Sequence, residues 1–218
     1  MTGTVFHVEL GDPGAPVLLL VHRWPASSID WSGVAGPLSE RFRVCALDLP
    51  GYGFSGKPRQ WGYSLTRDAE LLEFYLAQVP GAEAAVIVAH DRGDSVALVH
   101  ATRCSGGQAA TRPGHLVLTN GNIFLPLSSL TQAQRHMLSA RSSSQIAAAV
   151  TPSALAEGLG ATTFTPPRQP GDPEVRALTA TFAHGDGTAV LHETIQYLAE
   201  RAEHEHEWLT RSPAPRSP

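Results

Sequence analysis

Val86-Ile87-Val88-Ala89-His90-Asp91-Arg92-Gly93-Asp94-Ser95-Val96-Ala97 is the stretch that decides the fold of this chain. A short apolar run ends in small-His-Asp-Arg-Gly and gives way to a helical pattern, so a buried strand must turn sharply into a helix at Asp91. Ala89 and Gly93, two residues to either side, are the small residues such a turn needs, because it brings neighbouring backbone close to its apex. The turn lifts Asp91 clear of the sheet and sets it at the positive end of a helix, where a carboxylate is stabilised. It also turns the backbone N–H of Arg92 toward the place where an oxyanion would develop.

Working outward, Val17–Val21, Val44–Leu47, Ala85–Ala89 and His115–Thr119 are short apolar runs that suit strands covered on both faces. Thr4 to Leu10 alternates apolar and polar residues before Gly11-Asp12-Pro13-Gly14 and reads as an exposed hairpin edge. Helical patterns over Ile29–Glu40, Thr66–Val79 and Ser95–Cys104 alternate with these runs, which implies βαβ units and a mainly parallel, doubly wound α/β sheet. After Asn120 the texture is helical, over Leu127–Ala140, Ser144–Glu157 and Glu174–Glu203, and no strand pattern returns. The economical organisation is a core over residues 1–124, a helical cap or lid over 125–209 and a disordered tail over 210–218, rich in Pro, Ser and Arg.

With 218 residues and 42% apolar composition the chain can bury a real core. A net charge of −4, with acids and bases interspersed, gives no electrostatic footprint for nucleic acid or an anionic membrane, which leaves a small molecule as the expected partner and no cofactor. No apolar run, Val17 to Val21 included, approaches the roughly 20 residues of a spanning helix, and the N-terminus carries no secretory pattern, so a cytoplasmic location is the default expectation. Cys45 in a strand pattern and Cys104 near the end of a helical one read as buried free thiols.

Three more motifs join the first. Val21-His22-Arg23-Trp24-Pro25 follows one strand pattern, Asp48-Leu49-Pro50-Gly51-Tyr52-Gly53-Phe54-Ser55 follows the next, and Leu118-Thr119-Asn120-Gly121-Asn122-Ile123-Phe124 ends the last. With His90-Asp91-Arg92-Gly93, these resemble the α/β-hydrolase fold, strands 1–6. More narrowly they resemble its aspartate-nucleophile branch of epoxide hydrolases and haloalkane and haloacetate dehalogenases, which carry His-Gly-x-Pro and Asp-x-x-Gly-x-Gly-x-Ser at the corresponding places. Asp94, Asn120-Gly121 and Ile123-Phe124 look most like the mesoderm-specific transcript group, and the resemblance runs from Thr4 to Leu209.

The resemblance implies that Asp91 is the nucleophile of an elbow and that Trp24 and Arg92 supply the oxyanion N–H groups. A structural reading, with Asp91 only holding backbone N–H groups of the turn, stands beside it. His22 is implied to brace the oxyanion loop. Trp24 would lend its indole to the pocket or to plain packing. Arg23 stands where the family has glycine, and its long side chain is expected to narrow or block the oxyanion hole. The Arg92 guanidinium would bind a substrate carboxylate or halide, or face solvent or the lid; Ser95 replaces the second carboxylate-binding arginine of haloacetate dehalogenases. Asn120, Phe124, Phe164, Phe182 and Tyr197 are candidate pocket residues, and Tyr197 is the one lid tyrosine available to protonate an epoxide oxygen.

Hydrolysis of an aspartyl ester also needs a histidine positioned by an acid. The family places these after its seventh and eighth strands, which this sequence lacks, and Asn120 occupies the alternative acid position. His184, His192, His204 and His206 all fall in the helical part, and His204-Glu205-His206 reads as a solvated helix face. The expectation is a C-terminally truncated chain, ending or shifted in frame near Arg211, whose last strand offers an open edge for self-association. The functional reading is a hydrolase acting on a small epoxide, haloalkane or ester-like molecule through Asp91; the alternative is a catalytically impaired or non-catalytic binding protein or fragment.

Overall fold

The computed structural model describes residues 3–121, 124–139 and 143–211. Five strands, β1 (His7–Leu10), β2 (Val17–Val21), β3 (Arg43–Leu47), β4 (Val86–His90) and β5 (His115–Thr119), form one sheet in the order β1-β3-β2-β4-β5. The pairings β2–β3, β2–β4 and β4–β5 are parallel, and only β1 runs antiparallel, with His7 opposite Leu47 and Leu10 opposite Val44. The hairpin expected at Thr4–Leu10 is therefore not formed: β3 lies between β1 and β2, and a single strand occupies that stretch among the described residues.

β2 shows why the sheet needs helices on both faces. Val17, Leu19 and Val21 pack with Leu65, Leu72 and Leu76 of α2 (Leu65–Gln78) and with Val96 and Val99 of α3 (Arg92–Ser105). Leu18 and Leu20 point the other way, toward Trp31 of the 3-10 turn Ser28–Trp31 and Ala35 and Leu38 of α1 (Ser32–Ser39). A strand apolar at every position is thus buried twice, as a parallel sheet demands. Both cysteines are buried and free. At the other edge, among the described residues, β5 pairs only with β4, and Val117 is 45% exposed.

Beyond β5 lie α4 (Gln132–Leu138), α5 (Ser143–Ala149), α6 (Pro152–Thr163), α7 (Pro173–Ala183), α8 (Leu191–Thr194) and α9 (Tyr197–Arg211). Two expected helices are divided. Ser144–Glu157 breaks where Thr151 caps α6 by accepting the Ala154 N–H and Pro152 takes its first turn, a position where proline's missing donor costs nothing. Glu174–Glu203 breaks at Gly185 and Asp186, whose φ of 57° and 59° no right-handed helix accommodates. The tail expected from residue 210 begins later, since Thr210 and Arg211 belong to α9; residues 212–218 lie outside the described residues, as do Asn122 and Ile123. Among the described residues no helix is long and apolar enough to cross a membrane.

α9 docks on the core through α3 and α2: Arg201 Nη1 donates to Ser95 Oγ at 3.3 Å, and Glu200 accepts the Leu65 N–H at 2.7 Å at the start of α2. This contact brings Tyr197, the first residue of α9, over the end of β4.

At the β4–α3 turn, a methyl group on Gly93 would lie 2.5 Å from the Val21 carbonyl oxygen and 3.0 Å from that of His22. Backbone cannot yield cheaply there, so Gly93→Ala should lower stability by about 1–3 kcal/mol, the usual cost of overpacking. Urea denaturation followed by circular dichroism measures it, and an unchanged midpoint would show that the two backbones are not in tight contact.

Candidate active site

Asp91 occupies the turn between β4 and α3 with φ 53° and ψ −110°, a conformation rare for a residue with a side chain and concentrated at functional sites. The turn is closed by Asp91 N–H to Thr119 O at 3.0 Å and by Asp94 N–H to Asp91 O at 3.1 Å. Its carboxylate collects donors from three segments. Trp24 N–H donates to Oδ2 at 3.1 Å, Tyr197 O–H donates to Oδ1 at 3.4 Å, and the Arg92 N–H also stabilises the group. Burial pushes the Asp91 carboxyl up from its ordinary range, while these donors and the charge of Arg23 pull it back.

The loop that carries Trp24 N–H is fixed by side chains of three consecutive residues. His22 is fully buried; Nδ1 donates to Arg23 O at 2.8 Å and Nε2 accepts the Leu49 N–H at 3.0 Å. Burial pulls its pKa down to about 4, which keeps the ring neutral. Trp24 Nε1 donates to Thr194 Oγ1 at 3.2 Å, so the indole reaches α8. Arg23 turns aside from the hole it was expected to block: Nε donates to both oxygens of Asp30, at 3.2 and 3.3 Å, and Nη2 to Thr163 Oγ1 at 3.3 Å. Asp30, which the sequence did not single out, owes its importance to this pairing.

The Arg92 guanidinium is neither in a pocket nor at the surface. It is fully buried, ion-paired with Asp68 of α2, and lies over the rings of Tyr52 at 5.1 Å and Tyr197 at 5.5 Å. A guanidinium in this position cannot reach a substrate carboxylate or halide. Of the alternatives read from the sequence, the contact with Tyr197 matches the one in which Arg92 faces the late helical segment, while the Asp68 partner that α2 brings to it was not anticipated. Phe182 is likewise core, packed with Ala26, Val175 and Leu178, and Phe124 is 56% exposed. Asn120 and Phe164 line a cavity of about 800 Å³ together with Arg23, Asp30, His90 and Arg168. His204 and His206 are exposed on α9, with His204 Nδ1 3.6 Å from Glu207.

Asp94 stands one turn into α3. Oδ1 accepts the Thr119 N–H at 3.2 Å, and a methyl group on Gly121 would strike Oδ2 at 2.1 Å, so the 120–121 dipeptide and Asp94 fit only as a pair. Burial, with a smaller contribution from the nearby Asp91, pushes the Asp94 carboxyl up from 3.8 to about 7.

The family model that matches this chain is the α/β hydrolase fold, over residues 16–101. LipZ of Mycobacterium tuberculosis, named as a hydrolase on a provisional basis, is 33% identical over 207 residues, covering 94% of this chain and 70% of LipZ. The chain belongs to the α/β-hydrolase fold family. This α/β-hydrolase chain is also 30% identical over 208 residues to the mesoderm-specific transcript protein of Mus musculus, covering 92% of the chain, and it spans 61% of that protein's length. Among solved structures, the haloalkane dehalogenase DbeA of Bradyrhizobium elkani superposes with a TM-score of 0.73 at 21% identity, covering 97% of this chain and 72% of DbeA, a likeness of fold.

Two outcomes test this geometry. Asp68→Ala would leave the Arg92 charge buried without its partner and should cost about 3–5 kcal/mol in chemical denaturation, whereas a loss under about 1 kcal/mol would mean that the pair is not desolvated. The second concerns pH. Because the Asp94 carboxyl is raised from 3.8 to about 7 in the fold, the native state binds its proton more tightly than the unfolded chain does; stability is then full below about 4 and declines as pH rises toward 7. Asp94→Asn should flatten that decline in melting temperatures taken between pH 4 and 8. A parallel decline in parent and variant would assign it to another group.

Proposed function

We propose that this α/β-hydrolase acts on a small organic molecule bearing an epoxide, a carbon–halogen or an ester-like bond, with Asp91 as its nucleophile. The observation that carries the reading is the unequal treatment of the two carboxylate oxygens. Oδ2 accepts the backbone N–H of Trp24 at 3.1 Å, whereas Oδ1 meets the Tyr197 O–H at the longer distance of 3.4 Å and is the oxygen assigned to the attack. In that step the Oδ1 lone pair forms a bond to the substrate carbon as the carbon–halogen or carbon–oxygen bond breaks, giving an ester whose carbonyl oxygen is Oδ2. The Trp24 N–H then stands where charge would develop on Oδ2 when water adds to that ester, and the Arg92 N–H is a second donor to the same carboxyl group.

Tyr197 supplies the proton when the leaving group is an epoxide oxygen. Burial, with the Asp91 charge beside it, holds its phenol well above the ordinary range, so it is protonated and donating at neutral pH. The Arg92 guanidinium against its ring works in the opposite direction and steadies the phenolate as the proton leaves. A halide would depart without this proton.

A second reading, binding without turnover, is favoured by one observation. His22, the histidine of the oxyanion loop, has both ring nitrogens committed to backbone groups, so it cannot activate water against an ester on Asp91. The two readings part at the ester. A folded sample treated with an epoxide or haloalkyl probe should acquire a lasting mass increment on the Asp91 peptide, absent in Asp91→Ala. Reversible binding of the probe, equal in both proteins and leaving no adduct, would establish the binding module instead.

A further inference from the structure

The cavity beside the elbow has its own chemistry, and Asp91 does not line it. At about 800 Å³ it falls within the range of sites that enclose small organic molecules. Arg23 enters its wall from the oxyanion loop and Arg168 from the segment between α6 and α7, while Ile29, Phe164 and Leu178 supply apolar surface.

The hydrogen bonding of this wall is unbalanced. Each guanidinium carries five N–H donors and no acceptor. Arg23 uses Nε on Asp30 and Nη2 on Thr163; Nη1 has no hydrogen bond among the described residues and is not among the fully enclosed atoms. Arg168 places Nη2 3.0 Å from Glu174 and lays its guanidinium over Phe164 at 5.7 Å, while its Nε is enclosed without a partner among the described residues. The two carboxylates on the wall, Asp30 and Glu174, are already taken by these arginines. Among these charged groups donors therefore outnumber acceptors, and a group rich in acceptors and free of donors complements them.

An ionised carboxylate is that group, since it only accepts, at about four lone-pair positions, and meets the planar fork of an arginine edge to edge. We propose that the cavity binds an organic carboxylate with an apolar body, its head group held by the open edge of Arg23 and its hydrocarbon part against Ile29, Phe164 and Leu178. Arg168 closes the rim over Phe164. Asp30 is a yielding counter-ion for the incoming group, because burial already pushes its carboxyl up to about 6. The site requires no reaction at Asp91 and stands or falls separately from the nucleophile.

The test is a calorimetric titration of the full chain with 4-phenylbutanoate and with 4-phenylbutanamide, which share shape and apolar body but not charge. The acid should bind about tenfold or more tightly than the amide, a difference of the size expected for a charge-assisted bidentate contact. Arg23→Gln should remove that preference by weakening the acid alone, Arg23→Lys should restore it in part, and Asp91→Asn should retain it. Equal affinities of the unmodified chain for acid and amide would overturn the proposal even if Arg23→Gln fails to fold. So would acid binding that survives Arg23→Gln, or that disappears in Asp91→Asn and so belongs to the nucleophile's own site.

Discussion

The structure depends on one close approach: the first turn of α3 lies against the end of β2, with Gly93 packed on the carbonyls of Val21 and His22. That contact sets the distance between two loops that share no sequence neighbourhood. On one side stands Asp91 at the apex of its strained turn; on the other, the chain leaves β2 through His22 and Arg23 to present the Trp24 N–H. A side chain at residue 93 would wedge these apart, and the Trp24 N–H would lose its register with the Asp91 carboxylate.

A second layer of restraint is ionic. Arg92 and Asp68 bury opposite charges between α3 and α2, and the aromatic rings of Tyr52 and Tyr197 cover the cation. Such a pair contributes little net stability compared with an apolar substitute, and its value is in fixing geometry. Here it fixes the ring whose hydroxyl touches Asp91. The same guanidinium also opposes the rise in the Tyr197 pKa caused by burial, so one residue both orients the phenol and tunes it.

Much of this was legible in the sequence, and the failures have identifiable causes. Apolar runs and small residues around Asp91 placed β2, β3, β4, β5 and the elbow, because burial on both faces leaves a signature within each segment. His22 and Tyr197 were both singled out from the sequence; His22 anchors the loop after β2, and the Tyr197 hydroxyl lies 3.4 Å from Asp91. The partnerships were not legible: that Asp68 meets Arg92, that Asp30 draws Arg23 away from the hole, and that Phe182 faces the core all depend on how distant helices pack. Breaks in the late helices were written in Thr151-Pro152 and Gly185-Asp186, but helical periodicity on either side outweighed them. The Asp12–Gly14 turn suggested a hairpin, whereas pairing order is a property of the whole sheet.

The loop after β2 is constrained in time as well as in space. Its anchors join residues far apart in the chain: Trp24 to Asp91 across 67 positions, Arg23 to Thr163 across 140, and Trp24 to Thr194 across 170. Contacts of such long range carry the largest loop-closure cost and form late. As the chain leaves the ribosome, β2, α1 and β3 can assemble long before residue 194 has emerged. The site is thus completed only after its own scaffold. Asp91 meets the Trp24 N–H and the Tyr197 O–H together only once α9 has packed over the sheet.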